Sequence, residues 1–322
     1  KISADDEQPG TIMFLGDNIY PAGLVSEADP QAHSEGIHTL SNQVEALKSY
    51  KGNLIYIPGN HDWSEFKPSG LQAIQRQDQF FDQYHNPKIR FLPDQGCSGP
   101  AVVELNADVV LLILDSQWWI ERWKKIPGIN QSCPNQTREA MLRQLEEELN
   151  QYRDRLVLIA MHHPMKSRGP HGGHFTFRDH LFPLTKVVKW LYLPLPVIGS
   201  IYPGYRTIFG HPEDLKNPRY KSLQESLLKL TRDRNVIFLS GHDHNLQYLH
   251  DQGQDFIISG AGAKQNALAD GGGLVFGHKA GGFIQLDFYH DHTVELTFYE
   301  VDPKDGLGKA VFSQVIRSKT SP

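Results

Sequence analysis

Cysteine is almost absent from this chain. Its 322 residues hold only Cys97 and Cys133. They form no Cys-x-x-Cys pair, so a thiolate zinc site is excluded. Read as residues, they leave one disulfide and two free thiols equally open. Long apolar runs are also missing. The most apolar stretch, around Trp190 to Ile198, is too short and too broken by proline to span a bilayer. Basic charge is not in excess: Lys and Arg number 32 against 37 Asp and Glu, for a net charge of -5. With no long basic run, a dedicated nucleic-acid or anionic-membrane surface is not expected. The glycine clusters Gly260-Ala261-Gly262 and Gly271-Gly272-Gly273 are not followed by Lys-Ser/Thr, so neither is a phosphate-binding P-loop. No internal repeat is visible. Hydrophobic residues at 39% and charged residues at 21% allow a buried core. The length fits one large α/β domain, or one domain with an insertion.

Histidine is what the chain has in plenty, at 16 residues. Several sit in polar clusters that end apolar runs of strand length. Thr11 to Leu15 leads into Gly16-Asp17-Asn18-Ile19-Tyr20, and Leu54 to Pro58 leads into Gly59-Asn60-His61-Asp62. Leu156 to Met161 leads into His162-His163-Pro164, and Val236 to Ser240 into Gly241-His242-Asp243-His244. In open α/β sheets, ligands gather outside the carboxyl ends of strands. Carboxylate, amide oxygen and imidazole together suit Zn, Fe or Mn. Any one cluster is an ordinary turn or a packed histidine as readily as a ligand. All of them strand-terminal, in this order, point to a metal site.

Between the clusters, Ile37, Leu40, Val44 and Leu47 predict a helix over 37–50, after a loop over 25–36. A helix between two strands implies parallel neighbours. A second helix is expected near 71–84, a hairpin over 101–114, a helix over 137–154 and another over 219–233. Trp118, Trp119 and Trp123 read as core packing, and Asp115 as a turn residue. Beyond Tyr248, short alternating strands predict a mostly antiparallel second sheet. Asn130-Gln131-Ser132 and Asn135-Gln136-Thr137 match the glycosylation sequon, a pattern with meaning only in a eukaryotic secretory context.

The four clusters resemble the calcineurin-like metallophosphoesterases, whose pattern is D-x-[GH], GD, GNH[DE], a His cluster and GHxH. Within them, Gly16-Asp17-Asn18-Ile19-Tyr20 followed by Pro21-Ala22-Gly23 resembles the purple (tartrate-resistant) acid phosphatases, where a tyrosine three residues after the aspartate binds ferric iron. Gly241 to Leu249, with Ser259 to Gly262, resembles that branch too. The likeness runs from about Thr11 to about Tyr299. It implies a four-layer α/β/β/α sandwich, a single domain over 1–322 with an apolar insertion around 187–215. It also implies two metal ions, Fe with Fe, Zn or Mn, and tips the cysteines toward a disulfide. Asp17 would bridge the metals. Tyr20 and His244 would hold the first, and Asn60, His162 and His242 the second.

The same resemblance implies a phosphomonoesterase, in which a metal-bound hydroxide attacks a small phosphorylated substrate in line. His61 and His171 would bind phosphate and protonate the departing alkoxide, with Asp62 orienting His61. His171 matches a family histidine nine residues after the ligand His162. His174 lines the same glycine-rich loop as a further candidate for substrate binding. A secreted, periplasmic or cell-surface location is implied as well. One departure stands out: the family's first motif is expected upstream, because residues 1–10 read as a polar loop. The alternative is a single-metal or metal-free domain. Competing functions are a phosphodiesterase or nucleotide pyrophosphatase, and a non-catalytic scaffold. The apolar 187–205 segment would then dock a protein partner or membrane surface, a self-packed lid being the simpler reading.

Overall fold

The computed structural model describes residues 10–174 and 211–318. These fall into two compact units, Lys1–His163 with Ser226–His242, and Pro164–Glu225 with Asp243–Pro322. The apolar segment at 187–215 lies outside the described residues except for its last few positions.

In the first unit, β1 (Thr11–Phe14), β2 (Asn53–Tyr56) and β3 (Ile89–Phe91) form a parallel sheet in that order. The crossover from β1 to β2 is α1 (Pro30–Ala46). It begins earlier than the apolar spacing predicts. Asp29 caps it by accepting the Ala32 amide at 3.1 Å, and Pro30 occupies the first turn. Both are helix-start signals that outweigh the polar composition that follows. Gly36, Leu40 and Val44 form its buried face. The next helix, α2 (Gly70–Asp82), buries Ile74, Phe80 and Phe81. Phe81 stacks on Tyr56 of β2 at 4.2 Å between ring centroids, and Tyr56 stacks on Phe14 of β1 at 4.3 Å.

A second sheet of this unit contains β4 (Ala101–Glu104), β5 (Val109–Ile113), β6 (Leu156–Ala160) and β7 (Val236–Ser240). β4 is antiparallel to β5, and β5, β6 and β7 are parallel neighbours. Every residue of β5, β6 and β7 is buried, which is why these runs read as continuous apolar stretches without alternation. After β5 comes the short α3 (Ser116–Ile120), then α4 (Arg138–Gln151), capped by Thr137 through the Ala140 amide. Met141, Leu145 and Leu149 of α4 are fully buried at helical spacing. Each contributes roughly 1.5–3 kcal/mol of burial. Cys97 and Cys133 are joined in a disulfide. Both sequon asparagines make side-chain hydrogen bonds in the fold. Asn130 is buried, its Nδ2 donating to the Gln136 carbonyl at 3.2 Å and its Oδ1 accepting from Trp118 Nε1 at 2.6 Å. Asn135 Nδ2 donates to the Gly99 carbonyl and to Gln144 Oε1.

The last long helix, α5 (Pro218–Thr231), returns the chain to β7. In the second unit, β8 (Leu246–Asp251) and β9 (Gln254–Ser259) form a hairpin. Its turn, Gln252-Gly253, has positive φ at both positions, as a two-residue hairpin turn requires. β10 (Leu274–His278) pairs antiparallel with β8. β11 (Gly282–Phe288), β12 (Val294–Val301) and β13 (Gly308–Arg317) form an antiparallel sheet around a cluster of Phe298 and Phe312 with Phe276 of β10. The expected antiparallel sheet is present. β8 and β10 are additions to the predicted strands, hidden in sequence by the adjoining histidine and glycine motifs. No helix among the described residues is long and apolar enough to cross a membrane.

Candidate metal centre

The carboxyl ends of β1, β2, β6 and β7 deliver Asp17, Asn60, His162 and His242 to one place in the first unit. His162 Nε2 lies 2.9 Å from Asn60 Oδ1 and 3.4 Å from Asp17 Oδ1. His242 Nδ1 lies 3.1 Å from Asn60 Oδ1 and 3.2 Å from His162 Nε2. Asn60, His162 and His242 are buried, and the Asp17 side chain is 7% exposed.

Two local features create this convergence. The first is glycine. A Cβ on Gly16 would sit 2.5 Å from His162 Nδ1, and one on Gly59 would sit 2.3 Å from Asp17 Oδ1. One on Gly241 would meet the Leu15 carbonyl at 2.7 Å. Each motif glycine is therefore a close-approach position. The second is backbone strain, since Asp17 and His242 both have positive φ. Non-glycine residues hold that conformation at a cost, and such positions gather at functional sites.

The donor set fits a cation. His162 Nδ1 is 2.7 Å from the Leu15 carbonyl, which can only accept, so Nδ1 carries the proton and Nε2 presents a lone pair. That lone pair faces a carboxylate oxygen and an amide oxygen. Acceptors pointed at one another repel unless a positive charge sits among them. Asp17, His162 and His242 form a group of potential ligand atoms within 4.8 Å of one another.

Around this cluster the first unit places the other expected residues. Tyr20 donates its hydroxyl to Asp17 Oδ2 at 3.0 Å. Burial first, and then the Asp17 charge, raise the phenol well above its ordinary range. The His61 amide donates to Asp17 Oδ1 at 3.0 Å, and its ring lies 4.3 Å from that of Tyr20. The expectation that Asp62 orients His61 is corrected. His61 Nδ1 donates to the Pro21 carbonyl at 2.7 Å and lies 3.4 Å from Glu65. Asp62 is fully buried and accepts the amides of Gly59 at 2.8 Å and Asn18 at 3.1 Å. It fixes the two loops that carry Asp17 and Asn60. Burial, helped by Asp17, pushes its carboxyl up to about 8 against those amide bonds.

Sequence reasoning missed Asn18, whose Nδ2 donates to the Ile57 carbonyl at 2.9 Å and ties the β1 loop to β2. His163, named in its cluster but given no role of its own, is fully buried with its ring 4.4 Å from that of His242, and held by Ser116 at 2.8 Å. Its position beside His162 was a signal. Asp115, read as a turn residue, caps α3 through the Trp118 amide and also accepts Trp63 Nε1 at 2.7 Å.

His171, His174 and His244 belong to the second unit. His171 Nδ1 lies 3.1 Å from Asp214 Oδ1, and the His171 amide donates to Asp243 Oδ1 at 3.3 Å. His174 is held below its usual range by partial burial, then by Arg168 and Lys216. The His244 carbonyl accepts the Asn266 amide at 2.6 Å.

Residues 1–246 match the family model for calcineurin-like phosphoesterases. The chain belongs to the calcineurin-like phosphoesterase family. Its fold is accordingly the mixed α/β fold of the metallophosphoesterases. Purple acid phosphatase 17 of Arabidopsis thaliana is 24% identical over 299 residues, covering 90% of this chain and 71% of that protein. Among solved structures, this phosphoesterase-family chain is similar to PhoD, with a TM-score of 0.57 at 12% identity, over 96% of this chain and 66% of PhoD. It is also similar to GAP50, the anchor in the inner membrane complex of Plasmodium, with a TM-score of 0.56 at 14% identity, over 96% and 79%. At these identities the structural likenesses show the fold alone.

Proposed function

We propose that this calcineurin-like phosphoesterase is a metal-dependent phosphomonoesterase acting on a small phosphorylated substrate. The observation that carries the reading is the convergence of Asp17 Oδ1, Asn60 Oδ1, His162 Nε2 and His242 Nδ1 on one cation-sized space. Cations held by these residues, by Tyr20 and by His244, Fe with Fe, Zn or Mn, would supply charge neutralisation for the phosphoryl oxygens and a lowered pKa for water. The chain's own groups do the rest. His61, with Nδ1 tied to the Pro21 carbonyl, offers Nε2 to a phosphoryl oxygen. His171 is the acid for the departing alkoxide, and His174 a further contact to substrate. The disulfide favours an oxidising compartment, in keeping with a secreted, periplasmic or cell-surface location.

The test is hydrolysis of p-nitrophenyl phosphate and bis-p-nitrophenyl phosphate before and after chelation and metal return. Faster, metal-dependent turnover of the monoester supports the reading, and His61→Ala should lower it about 100-fold or more. Faster diester turnover would replace it with a phosphodiesterase. A second reading is a non-catalytic docking domain; GAP50, which shares the fold, is itself described as an anchor. A metal-loaded protein inert toward both esters would select it.

A further inference from the structure

Asp214 lies in the short stretch 211–217, which no motif of the sequence singles out, yet that stretch holds His171 through two neighbouring residues. Asp214 Oδ1 is 3.1 Å from His171 Nδ1, while the next residue, Leu215, donates its amide to the His171 carbonyl at 3.0 Å. The Asp214 side chain is only 2% exposed and that of His171 17%. Asp214 does not swing freely, because its Oδ2 accepts the His211 amide at 2.6 Å. From the other side, Asp243 Oδ1 accepts the His171 amide at 3.3 Å. The turn that carries His171 is set by close packing. A Cβ on Gly169 would meet the Asp243 carboxylate at 2.6 Å, and one on Gly172 the Ser167 carbonyl at 2.2 Å. A buried carboxylate facing one ring nitrogen selects the tautomer of the neutral ring.

We propose that Asp214 is a positioning residue for His171, locking the proton on Nδ1 so that Nε2 is the atom that passes a proton to the leaving group. This rests on the reading of His171 as the acid. The donor is the imidazolium: as the ester P–O bond breaks, the Nε2 proton goes to the departing alkoxide oxygen, and the neutral ring is left with its remaining proton on Nδ1, facing Asp214. The alcohol leaves neutral, and the imidazole recovers its proton from water. Asp214 keeps no proton and makes no bond to substrate.

Asp214→Asn gives a sharp test because the chain dictates how the amide must sit. The His211 amide can only donate, so the Asn oxygen takes the Oδ2 place and the NH2 group faces His171 Nδ1. The variant keeps the cap yet reverses the tautomer. With 15N-labelled histidine, at a pH high enough for His171 to be neutral, its signal, assigned by its loss in His171→Gln, should show Nδ1–H in the parent and Nε2–H in Asp214→Asn. For turnover, acid catalysis matters only when the leaving group is poor. Asp214→Asn should slow a simple alkyl phosphate about 30–100-fold and 2,4-dinitrophenyl phosphate less than about 3-fold. It should add nothing to the alkyl defect of His171→Ala. Equal losses on both esters, additive losses, or an unchanged tautomer would overturn the proposal. If the parent is inert on every ester, the phosphatase reading fails, and the tautomer alone decides: reversal supports the positioning of His171, and no reversal refutes it.

Discussion

His162 donates its Nδ1 proton to the carbonyl of Leu15, at 2.7 Å, across 147 residues of sequence. That one bond joins the end of β6 to the end of β1 and decides which nitrogen of His162 faces Asp17 and Asn60. The orientation of these candidate ligands is set as much by main-chain acceptors as by side chains. The same device recurs at His61, held by the Pro21 carbonyl.

Gly59 is predicted to tolerate no side chain. Gly59→Ala puts a methyl group 2.3 Å from Asp17 Oδ1 and 2.4 Å from the Asp17 amide. It should cost roughly 2 kcal/mol or more in stability and lower metal affinity at least about tenfold. Gly253→Ala is the control, because its φ is +76 and nothing lies within 4 Å of its Cβ. It should cost only about 1 kcal/mol, from the left-handed backbone alone, and leave metal binding unchanged. Chemical denaturation and metal titration of both variants check this.

Tyr20→Phe removes the hydroxyl that donates to Asp17 Oδ2. If iron occupies the centre with Tyr20 as a ligand, the variant should lose a visible charge-transfer band while keeping its circular dichroism. An unchanged visible spectrum in iron-loaded protein would count against Tyr20 as a ligand.

The contribution of Asp115 to the stability of the metal-free protein should fall as pH rises from about 4 to 7. Burial pushes the Asp115 carboxyl up to about 7, against bonds from the Trp118 amide and Trp63. In the unfolded chain its value is near 3.9. The folded state therefore binds this proton more tightly, its contribution is fully present below about pH 4, and it is lost as pH climbs to the folded value. Asp115→Asn should flatten that part of the slope, by a few kcal/mol at most between pH 4.5 and 7.5. Urea unfolding at the two pH values measures it, and parallel slopes for variant and parent would refute it.

Much of the fold was legible because its signals are local. The β5, β6 and β7 runs are uniformly apolar since both their faces are buried, and α4 shows a clean Met141, Leu145, Leu149 stripe. The start of α1 was hidden because residues 31–36 are polar, although the Asp29-Pro30 cap was readable. At the site, Asp17, Asn60, His162 and His242 were readable from their strand-end positions. Asp62 was singled out but with the wrong partner, because the amides of Asn18 and Gly59 that it accepts leave no trace in sequence. Asp214 was invisible for a related reason: it reaches His171 over 43 residues, and only the folded chain reveals the contact.

Metal content by elemental analysis, after loading metal-free protein with Zn or Mn and removing excess, tests the central claim most directly. It is best run on the parent beside Asp17→Asn and His242→Ala, with circular dichroism to confirm folding. At least one tightly held ion per parent chain, lost in both folded variants, is the result predicted by the Asp17, Asn60, His162 and His242 cluster. A parent chain that retains no metal, or variants that retain as much as the parent, would contradict it.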